Sequence, residues 1–228
     1  MAITHANFLT QVRNYTEVDS NVLTDAIIQD FIRNTELDIA GKVDYDDLRK
    51  YSTSNFTAGK RYVILPADCV LVRSVQHISS GGDRTFLEKR DTSFISEYNN
   101  DGTTGTPKYW ANWEDNVQQG PVILVAPTPV SADEVQVNFI KDPPNFTSTT
   151  STLLSKYHEA LLLHGVLTEA LRYLKGPQDI YKLYQTKYDE ETQNFALQQM
   201  GRRRRGEYDD GVPRIQVPSP SPKTLFKL

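Results

Sequence analysis

The two histidines of "YHEALLLHG", His158 and His164, are the first candidates for chemistry, because a zinc-binding helix presents two histidines on one face. That geometry needs a spacing of four. These two stand six apart and point in different directions, so His158 reads as a surface residue and His164 as a satisfied interior one. The paired acids Asp46-Asp47, Asp189 to Glu191 and Asp209-Asp210 lie in strongly polar stretches where nothing raises a carboxyl pKa toward general-acid work, and they read as solvated faces. Cys69 is the single cysteine, so no intrachain disulfide can form, and "LPADCVLV" makes it a small core hydrophobe. No P-loop, GxGxxG or GxSxG occurs, and "SSGGD" reads as a turn. The expectation is a protein that is not an enzyme, with no metal and no cofactor.

The strongest local signal is electrostatic. "GRRRRGEYDDG" sets Arg202, Arg203, Arg204 and Arg205 in a row. Residues 201–228 carry seven basic side chains against three acids, which makes them +4, and the total of −4 leaves the remaining 200 residues at −8. Such asymmetry points to a tail that makes its own contacts. The arginines could meet phosphates, or acids on a neighbouring protein such as Glu207, Asp209 and Asp210. A specific DNA reader would need a recognition helix or stacking aromatics on a basic face, and the acidic body argues against one. Beyond them, Pro213, Pro218, Pro220 and Pro222 exclude helix and favour extended backbone. The hydrophobes of that stretch, Ile215, Val217, Leu225, Phe226 and Leu228, are too few for a core and are expected to dock on another surface.

These groups must be carried by a framework, and 228 residues with 38% hydrophobic and 24% charged residues suffice for one sizeable core or two small ones. No apolar run reaches the roughly 18 residues of a membrane helix, and the start "MAITHANFLTQVRN" lacks a signal-peptide pattern. The expectation is synthesis in a cytoplasm, without a membrane partner. Residues 1–50 read as helical: Phe8, Leu9, Val12 and Tyr15 recur at helical spacing, followed by Leu23, Ile27, Phe31, Leu37 and Ile39, with Asp19 or Ser20 as cap and Gly41 as stop. Residues 51–150 read as a β-rich insertion. "KRYVILPADCVLVRSVQHI" gives two strands broken at Pro66, and "SSGGDRTFLEKR" a Gly81-Gly82 turn and another strand. "GPVILVAPTPVSADEVQVNFI" reads as an antiparallel hairpin and "SEYNNDGTTGTPKYW" as an exposed loop. Residues 151–205 read as a helix hairpin: one helix over "LLSKYHEALLLHGVLTEALRYLK", a stop with Gly176 at C′, a restart at Pro177, and a second helix with Tyr181, Tyr184, Tyr188 and Phe195 on one face. The fold class is α+β: a helical bundle with an antiparallel β insertion, a single domain over 1–205, and an extended tail over 206–228.

The helix with "FIRNTELDIA", the strands of "RYVILPADCVLVRSV", the loop "TGTPKYW", the segment "VILVAPTPVSADEVQVNFIKDPP" and the helices of "KYHEALLLHGVLTEALRYLKGPQDIYKLYQTKYDEETQNF" follow one another in an order that resembles head-to-tail adaptor proteins of tailed bacteriophages, including the tail tubular proteins of short-tailed phages. The likeness covers about residues 20–200. It implies a structural virion protein, twelve copies of which ring the channel below the portal. The implied partners are the portal protein, a tail nozzle or tube protein, other copies of the chain, and DNA passing non-specifically through the channel. It also implies a terminal extension that grips the portal, with Leu225, Phe226 and Leu228 as anchors. The arginine cluster and the long tail do not map onto a shared family motif. Two other readings stay open at this point: a nucleic-acid-binding accessory protein working through Arg202 to Arg205, and a small hydrolase.

Overall fold

The computed structural model describes residues 3–98, 103–116 and 120–209. Helix α1 (His5–Thr16) buries Phe8, Leu9 and Val12, while Tyr15 stays half exposed, edge-on to Tyr184. Helix α2 (Asp25–Lys42) is capped by Thr24, whose hydroxyl accepts from the Ile27 amide, and not by Asp19 or Ser20. The Asp19 carbonyl instead closes a turn onto the amides of Val22 and Leu23 at 3.1 and 3.0 Å, and Arg13 donates to the Leu23 carbonyl from Nε and Nη2 at 3.0 and 2.8 Å. Gly41 does not stop α2; the helix passes through it to Lys42. The buried stripe is Ile28, Ile32, Thr35, Glu36 and Ile39, which turns Leu37 outward.

After a 3-10 turn at Asp46–Leu48, the chain builds two four-stranded sheets. The strands are β1 (Arg49–Asn55), β2 (Tyr62–Ile64), β3 (Cys69–Ile78), β4 (Arg84–Phe86), β5 (Glu88–Lys89), β6 (Thr104–Gly105), β7 (Tyr109–Asn116), β8 (Gly120–Ala126), β9 (Thr128–Pro129) and β10 (Glu134–Lys141), with helix α3 (Thr92–Tyr98) between β5 and β6. One sheet runs β1-β10-β3-β4 and the other β2-β8-β7-β5. Val72, Val75, Val135, Val137 and Phe139 from the first meet Val63, Trp110, Ile123 and Val125 from the second in a shared core. The break at Pro66 and the Gly81-Gly82 turn are as the sequence predicts, Gly82 sitting at φ +90 and donating to the Ser79 carbonyl at 2.9 Å. Cys69 is buried, as its setting implied.

The expected hairpin from Gly120 to Ile140 does not form. β8 pairs with β2 and β7, whereas β10 pairs with β1 and β3 in the other sheet. β8 turns Ile123 and Val125 to the shared core and Leu124 and Ala126 to Ile95 of α3, so both faces are covered and both edges taken. No edge is left for β10, and the chain crosses between sheets through Pro127 and Pro129. The expected exposed loop is also corrected in part. Its Trp110 is 1% exposed in β7, and its start belongs to α3, where Phe94 and Tyr98 pack with Tyr109.

The expected single helix from Leu153 is two: α4 (Leu153–Tyr157), opened by a Thr152–Ser155 capping box, and α5 (Glu159–Tyr173), hinged at His158. α5 is buried around most of its circumference and joins α1 and α2 in a second core. It ends in a Schellman motif one residue earlier than predicted. Lys175, not Gly176, occupies C′ at φ 52; its amide donates to the Arg172 carbonyl and that of Gly176 to the Leu171 carbonyl, at 3.3 and 2.9 Å. Gly165 of α5 faces Thr35 and Tyr188 so closely that a Cβ there would stand 2.4 Å from Thr35 Cγ2. Helix α6 (Gln178–Asp209) follows, with Tyr188, Thr192, Phe195 and Gln199 buried on one face and Tyr181 and Tyr184 half-buried beside them.

Candidate functional site

Neither histidine of the α4–α5 segment is placed for metal work. His158 sits at the α4–α5 hinge with its ring edge-on to Phe195, centroids 4.6 Å apart. It is half-buried and not the surface residue that was expected, because the hinge lays it against α6. The His164 Nδ1 lies 2.9 Å from Glu191 Oε2 on α6, which satisfies it as predicted. Among the described residues no group of three or more His, Cys, Asp and Glu side chains could hold a metal ion.

A Ser-Asp-His cluster that sequence spacing did not reveal joins the β3–β10 end of the first sheet. His77 Nε2 is 2.9 Å from Asp133 Oδ2, and the Ser131 hydroxyl donates to that same oxygen at 2.7 Å. A hydrolytic triad needs the imidazole between the hydroxyl and the acid. Here the carboxylate sits in the middle, and the imidazole is not placed between the hydroxyl and the acid. The Ser131 hydroxyl, and after it His77, hold the Asp133 carboxyl below its usual range. His77 is buried and stacked on Phe56, so the cluster ties the turn before β10 to β3.

Glu36 is the second feature missed. Its position on the Ile28–Ile32–Ile39 stripe was the available sequence signal, since a carboxylate there must enter the core. It is 1% exposed, and its Oε2 accepts from the Phe146 amide at 3.1 Å. Burial pushes its pKa up to about 7, against the downward pull of the Phe146 amide, the Thr152 hydroxyl and the Arg33 charge. Tyr45 is driven above its ordinary value too, by burial first and then by Glu36 and Asp47. Around Glu36, Gln29 donates to Asn145 Oδ1 and the Phe146 carbonyl, and Arg33 to the Pro143 carbonyl. These bonds fasten the strand-to-helix connector at 142–152 onto α2. They position elements.

The remaining candidate residues are the arginine cluster and the hydrophobes beyond it. Arg202, Arg203, Arg204 and Arg205 lie within α6, which continues through Gly201 and Gly206 to Asp209, past residue 205 where the helix hairpin was expected to end. Arginine is a strong helix former and offsets the glycines, each of which costs about 1 kcal/mol. Successive helical residues stand about 100° apart, so four in a row go round the helix instead of along one face. Ile215, Val217, Leu225, Phe226 and Leu228 lie outside the described residues.

No curated protein matches the chain. Among solved structures, one similar chain belongs to the neck of an empty GTA particle, at 12% identity over 73% of this chain and 76% of that chain, with a TM-score of 0.27, a likeness too loose to carry an argument. The model of the SU10 adaptor protein family matches residues 3–215. The match takes in both cores, the β strands that build one of them and the arginine cluster, and the chain belongs to the SU10 adaptor protein family.

Proposed function

We propose that the chain is a structural virion protein, a ring subunit, with twelve copies per ring, that joins portal to tail and continues the DNA exit channel. Membership of an adaptor family over residues 3–215 is the observation that carries this reading. The site chemistry agrees with it: the histidines are engaged in packing, and the Ser131–Asp133–His77 cluster has the wrong order for hydrolysis. The helical unit with its β insertion supplies the body of the subunit. The tail supplies the grip, with Leu225, Phe226 and Leu228 seated on the portal and the prolines lowering the ordering cost.

The arginine cluster makes mainly protein contacts at the end of α6. A channel must let DNA slide, and a continuous arginine lining would hold phosphates through strong, salt-sensitive bonds. Particles assembled without this chain are expected to fill their heads and fail to retain a tail, and supplying the purified chain should restore tail joining. Normal tailed particles in its absence would refute the reading. The nucleic-acid-binding alternative predicts instead a salt-dependent DNA shift by the free monomer.

A further inference from the structure

The β sandwich is left open along one corner. β3 pairs with β10 along its length but with β4 only over Gln76–Ile78, so among the described residues no strand lies along the β4 side of residues 70–74. β7 is similar, meeting β5 only at Tyr109 and Trp110. Between these strands lies an open groove of about 740 Å³, walled by Val70, Leu71 and Val72 on β3 and by Asn112, Trp113 and Val122 across from it. The register shift between Asn112 and Glu114 is a bulge, and it re-aims Trp113 toward solvent. Val70, Leu71 and Trp113 are 64%, 46% and 55% exposed. An apolar strand edge of this kind pairs with another chain unless it is covered.

We propose that the groove receives residues 214–217 of a neighbouring copy, laid along β3 as an added strand. This rests on the ring-subunit reading and divides the tail into two grips. "PRIQVPSPSPKTLFKL" holds two apolar pieces separated by a proline-stiffened spacer. In the first, Ile215 and Val217 alternate with Arg214 and Gln216, which gives an added strand one apolar face for the groove and one polar face for solvent. Pro213 and Pro218 bracket it, and a residue without an N–H is tolerated where such a strand begins and ends. Four residues extend about 13 Å, within the length of residues 70–74. The rim carries Asp68 and Asp142, each holding one cation, Lys50 at 2.8 Å and Arg33 at 2.7 Å, and each with its carboxylate still partly open to solvent. That rim suits Arg214 and the net-positive tail. α6 runs 14 residues beyond Phe195, which packs on Tyr45, so the tail begins about 21 Å past that contact, and in the ring reading a neighbouring copy stands there to receive it. The second piece, Leu225, Phe226 and Leu228, stays free for the portal.

The test places a photoreactive benzoylphenylalanine at position 113 of the full-length chain and mixes it with isotopically heavy wild-type chain, both concentrated and joined to portal particles. The expected cross-link joins position 113 to a heavy peptide containing residues 214–217. It should fall at least tenfold when the heavy chain carries Ile215→Asp and Val217→Asp, and stay unchanged with Leu225→Asp and Phe226→Asp. Position 113 lies outside both cores, and circular dichroism checks that each variant folds. A link to residues 214–217 of the same chain, to the portal, or to 223–228 would overturn the inference, as would no link at all. A chain that joins the portal but gives no heavy 214–217 link sinks the groove alone; failure to join the portal sinks the ring reading, and the concentrated sample still decides the groove.

Discussion

Glu36→Gln isolates the ionisation of one buried carboxyl. Glu36 is 1% exposed and its pKa stands at about 7, against an ordinary 4.5. That difference corresponds to about 3 kcal/mol between the protonated and ionised folded chain. Because the folded value is the higher one, the folded chain holds a proton that the unfolded chain has released. The stability linked to this site is therefore complete below pH 4.5, declines by about 1.4 kcal/mol per pH unit above it, and is gone once the pH has risen through about 7. Glutamine mimics the protonated side chain at every pH. Urea unfolding followed by far-ultraviolet circular dichroism, from pH 4.5 to 8.5, should show the variant gaining about 3 kcal/mol on the parent across that range, while surface groups that titrate in both proteins cancel. Parallel stability curves for the two proteins would refute the reasoning.

Other consequences follow from close packing, backbone conformation and the tail. Gly165→Ala should lower stability by about 1–2 kcal/mol, since the overpacking against Thr35 and Tyr188 exceeds the helix-propensity gain; Thr35→Ser, which removes the methyl at 2.4 Å, should recover most of it in the double variant. Lys175→Gly relieves the left-handed position that ends α5 and should raise Tm by about 1–3 °C in a scanning calorimeter, whereas Gly176→Ala meets Leu171 Cδ2 at 2.9 Å and should not stabilise. Deleting residues 213–228 should change unfolding stability by no more than about 0.5 kcal/mol, yet weaken portal attachment by roughly 1.5–3 kcal/mol for each anchor fully buried in the interface, as read by surface plasmon resonance.

Periodicity made much of the framework legible. The apolar stripes of α1, α5 and α6, the strand break at Pro66 and the glycine turn before β4 all follow from local spacing and backbone chemistry. Partner choice was not legible. The alternation Val135, Val137, Phe139 fixes which face of β10 is buried, but pairing depends on β8 already having a strand at each edge. Caps slipped by a few residues for local reasons: Asp19 was engaged through its carbonyl, which left Thr24 to cap α2, and α5 ended with Lys175 in the conformation that glycine usually takes. The His77–Asp133 pair joins residues 56 apart and gave no local sign. Glu36 did give one, as an acid within an apolar stripe. The segment order pointed to the adaptor family, because that order is a property of the whole chain.

The most direct measurement is the mass and stoichiometry of what the full-length chain forms with the portal protein of its own particle. Mass photometry of the chain alone should show a monomer or weak association, since a proline-rich tail sequence and a net-acidic body give little reason for self-assembly without a template. Adding portal rings should convert it to one discrete species with twelve copies of the chain per portal ring, and the 213–228 deletion should weaken that conversion. A chain that stays monomeric beside intact portal rings, or that forms a stable ring at micromolar concentration with no partner present, would contradict the account.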